Sequence, residues 1–153
     1  MGVHYSRGLV LYQQRRFEDA LKEFDCELGD FPGCPQTTCM KACCLDAMQK
    51  TDEALFWARS AVGLNPQNSL AFHILGRTLY RKKGYPQKDV LEAFKTAISL
   101  DSNDVQTYWY LAQIHMYASR WKQALMWAER GLQVAALDAR CLAVSGWSAP
   151  AMI

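Results

Sequence analysis

Apolar side chains return along this chain at intervals of three, four and seven, broken at regular distances by polar or proline-bearing turns. Leu11, Phe17, Ala20, Leu21, Phe24 and Leu28 set the pattern, which is that of helices with one buried stripe. A small residue marks each unit. Gly8, Ala20 and Glu27 are separated by 12 and 7 positions, and the same intervals link Ala42, Ala54 and Ala61, and then Ala112, Ala124 and Gly131. Gly76, Val90 and Ala97 repeat the frame with intervals of 14 and 7. The four starts, at 8, 42, 76 and 112, are spaced 34, 34 and 36, so the third copy carries a two-residue insertion. A fixed period of this size predicts a stacked array, because one helix pair cannot bury its apolar face without neighbours.

The frame predicts an all-α chain of eight principal helices in four antiparallel pairs. The first pair is read as a helix from His4 to Gln14, a turn at Arg15-Arg16 and a second helix ended by Gly29, Pro32, Gly33 and Pro35. The second copy runs from Thr37 to Leu64, with Thr51 or Asp52 capping its second helix and Asn65-Pro66 as the exit turn. In the third copy the helices are Leu70 to Lys83 and Asp89 to Leu100, and the insertion falls in Gly84 to Lys88. The fourth runs from Val105 to Val134 with a break at Ser119-Arg120. Domain boundaries follow: four repeats over 1–136 (about 1–34, 35–68, 69–104 and 105–136), then a partial capping helix and tail over 137–153. A chain that ends without a full polar capping helix is expected to continue an array or to self-associate through that end.

These residues resemble the tetratricopeptide repeat, whose pattern is W-x2-L-G-x2-Y, then A-x3-F, then P. The third copy reads Phe72-x2-Leu75-Gly76-x2-Leu79, the first Ala20-x3-Phe24 with Pro32 in the proline place, the second has Pro66 there, and the fourth reads Tyr108-x2-Leu111-Ala112 and Ala124-x3-Ala128. The likeness covers Val3 to Ala136. It implies a right-handed superhelical solenoid, with the first helix of each pair lining a concave groove that binds an extended peptide or partner helix. The lining would be Tyr5, Leu9, Tyr12 and Gln13; Cys39, Cys43, Asp46 and Ala47; His73, Arg77, Tyr80 and Arg81; and Trp109, Gln113, Met116 and Tyr117. Aromatics beside arginines are the composition of binding hot spots. Members that clamp the acidic carboxyl tail of heat-shock chaperones use Lys, Asn, Asn, Lys and Arg. The matching places here hold Tyr5, Leu9, Met40, Leu70 and Ile74, which argues against that use.

Composition narrows the function further. With 17 basic and 15 acidic side chains in 153 residues, the formal charge of +2 lacks the basic footprint of a nucleic-acid binder, so an RNA-binding helical repeat ranks low. No window is apolar enough to cross a bilayer, and a cytoplasmic protein without stable membrane insertion is expected. The six cysteines read as free thiols. Cys39 and Cys43 share a helical face, with Cys34 and Cys44 near, but the spacing is not that of a zinc finger or ribbon. Cys43 with His73 is the one nucleophile and base pair that neighbouring repeats could join, and it lacks an orienting third group. An enzyme or metal-dependent regulatory domain using this Cys/His cluster is therefore the competing reading. His4, His73 and His115 fall on first helices as groove or packing residues, and Arg81-Lys82-Lys83 suits a helix C-terminus. Met1-Gly2 followed by Ser6 formally fits an N-myristoylation start, although one acyl chain anchors only marginally. The expectation is a non-catalytic interaction scaffold within a larger complex, with no cofactor and no metal, binding a protein or peptide.

Overall fold

A computed structural model of the chain describes residues 2–82 and 86–134. They form eight helices: α1 (Val3–Gln13), α2 (Phe17–Asp30), α3 (Pro35–Ala47), α4 (Thr51–Leu64), α5 (Ser69–Arg81), α6 (Gln87–Leu100), α7 (Val105–Tyr117) and α8 (Trp121–Val134). There is no strand among the described residues, and the all-α class holds. The helix expected over 137–144 lies outside them.

The turns inside three pairs use one device. Arg15, Gln49 and Ser119 take φ values of 61°, 63° and 60°, the left-handed conformation that stops a helix. The following N–H then reaches back five residues: Arg16 to the carbonyl of Leu11 at 2.9 Å, Lys50 to Leu45 at 2.9 Å and Arg120 to His115 at 2.8 Å. At the amino ends, Asn68 Oδ1 accepts from the N–H of Leu70 and Ala71, while α3 begins on Pro35, whose missing N–H costs nothing there. Two expectations are corrected. Thr51 is the first helical residue of α4 and neither it nor Asp52 caps that helix. Lys50 holds the cap place without a side-chain bond, and Asp52 and Glu53 lie in the first turn, where their charge suits the helix dipole. Second, α6 starts at Gln87, because Gln87 and Lys88 continue a helix readily. It keeps the 14-residue length of α2, α4 and α8.

All twelve frame positions, from Gly8 to Gly131, are buried. The chain divides into two compact units, residues 1–93 and 94–153. In the first, α1 packs on α2, α2 on α3, α3 on α4, and both α3 and α4 on α5. Its core gathers Phe24, Ile74 and Met40 with Cys39, Cys43, Cys44 and a set of alanines. Gly8 is small for a reason the geometry shows: a Cβ there would lie 2.5 Å from Phe24 Cε1. Glu27, which replaces the small residue of the other copies, is 0% exposed, and its carboxylate accepts the Gly2 N–H at 3.0 and 3.1 Å. In the second unit α7 packs on α8. Phe94 stacks on Tyr110 (5.2 Å, 8°), and Tyr108 meets Trp127 at 6.1 Å.

Candidate protein-binding face

Three first helices of the first unit bring their predicted lining together. From α1, Tyr5, Leu9 and Tyr12 are half-buried. Tyr5 leans on Phe24, with ring centroids 6.1 Å apart. Burial raises its hydroxyl pKa above the usual tyrosine value, as does the nearness of Cys34, Cys39 and Cys43. Tyr12 packs edge-on against Phe17 at 5.4 Å, and burial, with Cys43 close by, pushes its hydroxyl up to about 12 against the pull of Arg77.

Asp46 of α3 is the centre of this face. Its side chain is 1% exposed, and its carboxylate pairs with Arg77 Nη2 at 2.8 Å and Arg81 Nη1 at 2.8 Å. Arg81 Nη1 also donates to the Asp46 carbonyl at 3.0 Å. A carboxylate buried this deeply is tolerable because it is paired and hydrogen-bonded. The arginines come from one face of α5, four residues apart, and their side chains are 21% and 39% exposed. Two guanidiniums against one carboxylate leave a net positive charge on this face, with Arg77 near the Tyr12 hydroxyl. The sequence places Asp46 on the face without announcing this bridge; the signal is its offset of 35 residues from Arg81, one repeat plus one.

Other predicted lining residues fall elsewhere. His73 is 3% and Cys43 4% exposed, so both belong to the layer under the face rather than to its surface. The Cys43 thiol is held well above its usual pKa, first by its hydrogen bond with Cys39 and then by burial. A thiol kept protonated is a poor nucleophile and a poor metal ligand. Among the described residues no group of three His, Cys, Asp or Glu side chains could hold a metal ion. Tyr80 is exposed beside Arg81. In the second unit, α7 carries Trp109, Gln113 and Met116 half-buried and Tyr117 70% exposed. Trp109 stands edge-to-face with Tyr110, ring centroids 4.8 Å apart. No described helix is long and apolar enough to cross a membrane.

No protein-family model and no curated protein sequence matches the chain. Solved structures do match. The fold is similar to that of MamA (TM-score 0.80, 16% identity, 99% of this chain and 85% of that one). It is similar also to YrrB, described as a TPR protein with an unusual peptide-binding site (0.76, 17%, 94% and 73%). A chain of the APC/C hetero-tetramer Cut9-Hcn1 matches as well (0.85, 12%, 95% and 29%). The chain therefore has the tetratricopeptide-repeat fold, as its repeat implies.

Proposed function

We propose that this chain is a non-catalytic, cytoplasmic interaction scaffold that seats a peptide or helix of a protein partner on the face shared by α1, α3 and α5. The observation that carries this reading is the Asp46 bridge. It fixes two guanidiniums on one carboxylate, Arg77 of them near Tyr12, so a ligand meets donors already ordered, and binding forgoes less side-chain entropy. YrrB is described as peptide-binding, and Cut9-Hcn1 is a multi-subunit assembly, which supports the same kind of role here. The face of α7 in the second unit, with Trp109, Gln113, Met116 and Tyr117, is proposed to present a lining of its own.

The test is capture of partners from the native cell with cross-linking to locate the contact. Arg81→Ala, Tyr80→Ala and Trp109→Ala should each weaken capture, by about 2 kcal/mol where the residue anchors the partner, with helix content unchanged by circular dichroism. If Arg81→Ala and Tyr80→Ala fold and retain every partner at full strength, the face on α1, α3 and α5 is the wrong surface, and the same result for Trp109→Ala rules out the face of α7.

A further inference from the structure

On α3, Lys41 points away from Cys43, and there the first unit forms a second assembly. A hollow of about 400 Å³ is lined by Asp25 of α2, Lys41 of α3, and Asp52, Glu53, Phe56 and Trp57 of α4, with leucines as its floor. Phe56 and Trp57 meet edge to face, ring centroids 5.5 Å apart at 90°. Lys41 Nζ lies 4.0 Å above the Trp57 ring and 2.6 Å from Asp25 Oδ1. One wall of the hollow thus already receives an ammonium, between the negative face of an indole and a carboxylate.

The other wall has the same two components. Phe56 is 63% exposed, and Asp52 and Glu53 stand one helical turn before it, at the spacing that puts side chains on one face. Asp52 is paired with Lys82 Nζ at 2.5 Å, and Glu53 is exposed. Counting Asp25, Asp52 and Glu53 against Lys41 and Lys82 leaves one negative charge beside an exposed ring. Such a rim favours a cation over a phosphate, and so a basic segment over nucleic acid or acidic lipid.

We infer that this hollow is a second docking site, for a basic segment of a protein partner, and that it takes one lysine side chain whose ammonium rests on Phe56 against Glu53 as Lys41 rests on Trp57 against Asp25. It is independent of the face built on Asp46, whose excess charge is positive and selects a different ligand.

The probe is a blocked seven-residue peptide of alanines with two lysines, titrated at low salt into the ¹⁵N-labelled full chain, with a peptide carrying glutamines in place of the lysines as control. The lysine peptide should give saturable shifts confined to residues 52–57 and the Trp57 indole N–H, and the control should give none. Phe56→Leu keeps apolar cover but removes the ring quadrupole, and Glu53→Gln removes the carboxylate. Each should weaken binding roughly two- to five-fold, the size of an exposed cation–π contact. Both sites are exposed, so the variants should keep the wild-type spectrum elsewhere. Equal binding by Phe56→Leu, shifts scattered over all acidic residues, shifts centred on Arg77 and Arg81, or no saturation at several millimolar peptide would each overturn the proposal.

Discussion

In the first unit the fully buried cluster is mostly small, Cys39, Cys43 and Cys44 with Ala20, Ala42, Ala58, Ala61 and Ala71 beside Met40 and Ile74, with Phe24 as its one fully buried ring and Tyr5, Tyr12 and Trp57 packed at its edge. In the second the space between helices is filled by aromatics, with Phe94 stacked on Tyr110, Tyr108 against Trp127, and the Arg130 guanidinium 4.9 Å over the Trp127 ring. Both units obey the same frame of small residues at crossings. The difference shows that the frame fixes where helices approach and leaves open what fills the gaps. Small filling brings helices close and leaves α3 buried nearly all round, including the charged Asp46. In the second unit, the Tyr108 hydroxyl donates to the Ser102 carbonyl at 2.9 Å.

The largest expected effect breaks the first filling. Phe24→Ala removes the one fully buried ring of that core and opens a cavity against Gly8, which has no side chain to fill it. It should lower stability by roughly 3–5 kcal/mol in urea denaturation. Phe94→Ala, equally 0% exposed, leaves Tyr110 and other large rings that can re-pack, and should fall nearer 3 than 5 on the same scale, about the low end of that range. Equal losses would mean that the contrast between the cores has no energetic content. Next comes the charge. Asp46→Asn leaves two guanidiniums without their carboxylate. Removing one partner of a fully buried pair costs about 3–5 kcal/mol, and the partial exposure of Arg77 and Arg81 reduces this to roughly 2–3 kcal/mol. A loss under about 1 kcal/mol would show that the bridge orders the arginines without stabilising the fold.

Helix order, the intervals of the frame and the turns at Arg15-Arg16 and Ser119-Arg120 were legible in the sequence because each depends on neighbours within one repeat. For the proposed lining, the sequence indicates helical positions but not which of them reach the surface. The rule that puts Cys43 and His73 on it counts helical angles alone, whereas their burial depends on how closely α1, α3 and α5 approach. Glu27 shows the same limit from the other side. It stands out as a charge in a small-residue position, and only the chain entry at Gly2, 25 residues earlier, gives its carboxylate a partner. The hollow at Phe56 was invisible because Asp25, Lys41 and Trp57 lie on three helices and follow no family pattern.

Acid and base should act on different groups. In the first, burial pushes Cys44 up to about 12 from 9.0 and Tyr12 up to about 12 from 10.0. A group whose folded pKa is raised stabilises fully below its unfolded value and loses that contribution as pH climbs toward the folded one, so stability should fall between pH 9 and 12. In the second, burial lowers His115 below 6.5, with Arg120 and Lys95 adding to it, and its Nδ1 has no hydrogen-bond partner among the described residues. Its contribution is present above pH 6.5 and lost as pH falls. Denaturation midpoints measured against pH should therefore decline at both ends. Cys44→Ala should make the alkaline limb shallower without flattening it, because Tyr12 and Cys43, and Tyr108 in the second unit, are also raised, and His115→Gln should act on the acidic limb alone. If either substitution changes both slopes, the assignment of the limbs to these groups is wrong.

The smallest effect tests what the units share. Arg15, Gln49 and Ser119 hold the left-handed conformation at corresponding turns, and none is glycine. A residue with a Cβ pays about 1–2 kcal/mol for that conformation, whereas glycine adopts it freely but loses about 0.5–1 kcal/mol more in chain entropy on folding. Replacement by glycine should thus stabilise by roughly 0.5 kcal/mol net. Gln49→Gly is the cleanest case, because Gln49 is exposed and only its backbone N–H is engaged, donating to the Asp46 carbonyl at 3.0 Å. Ser119→Gly makes the same change in the second unit, where the Ser119 N–H donates to Met116 at 3.0 Å. The two gains should agree within a few tenths of a kcal/mol, since the turns are alike whatever the cores between them contain. A gain at Ser119 with a loss at Gln49 would show instead that the turn above Asp46 is coupled to the arginine bridge, whose Arg81 donates to that same Asp46 carbonyl.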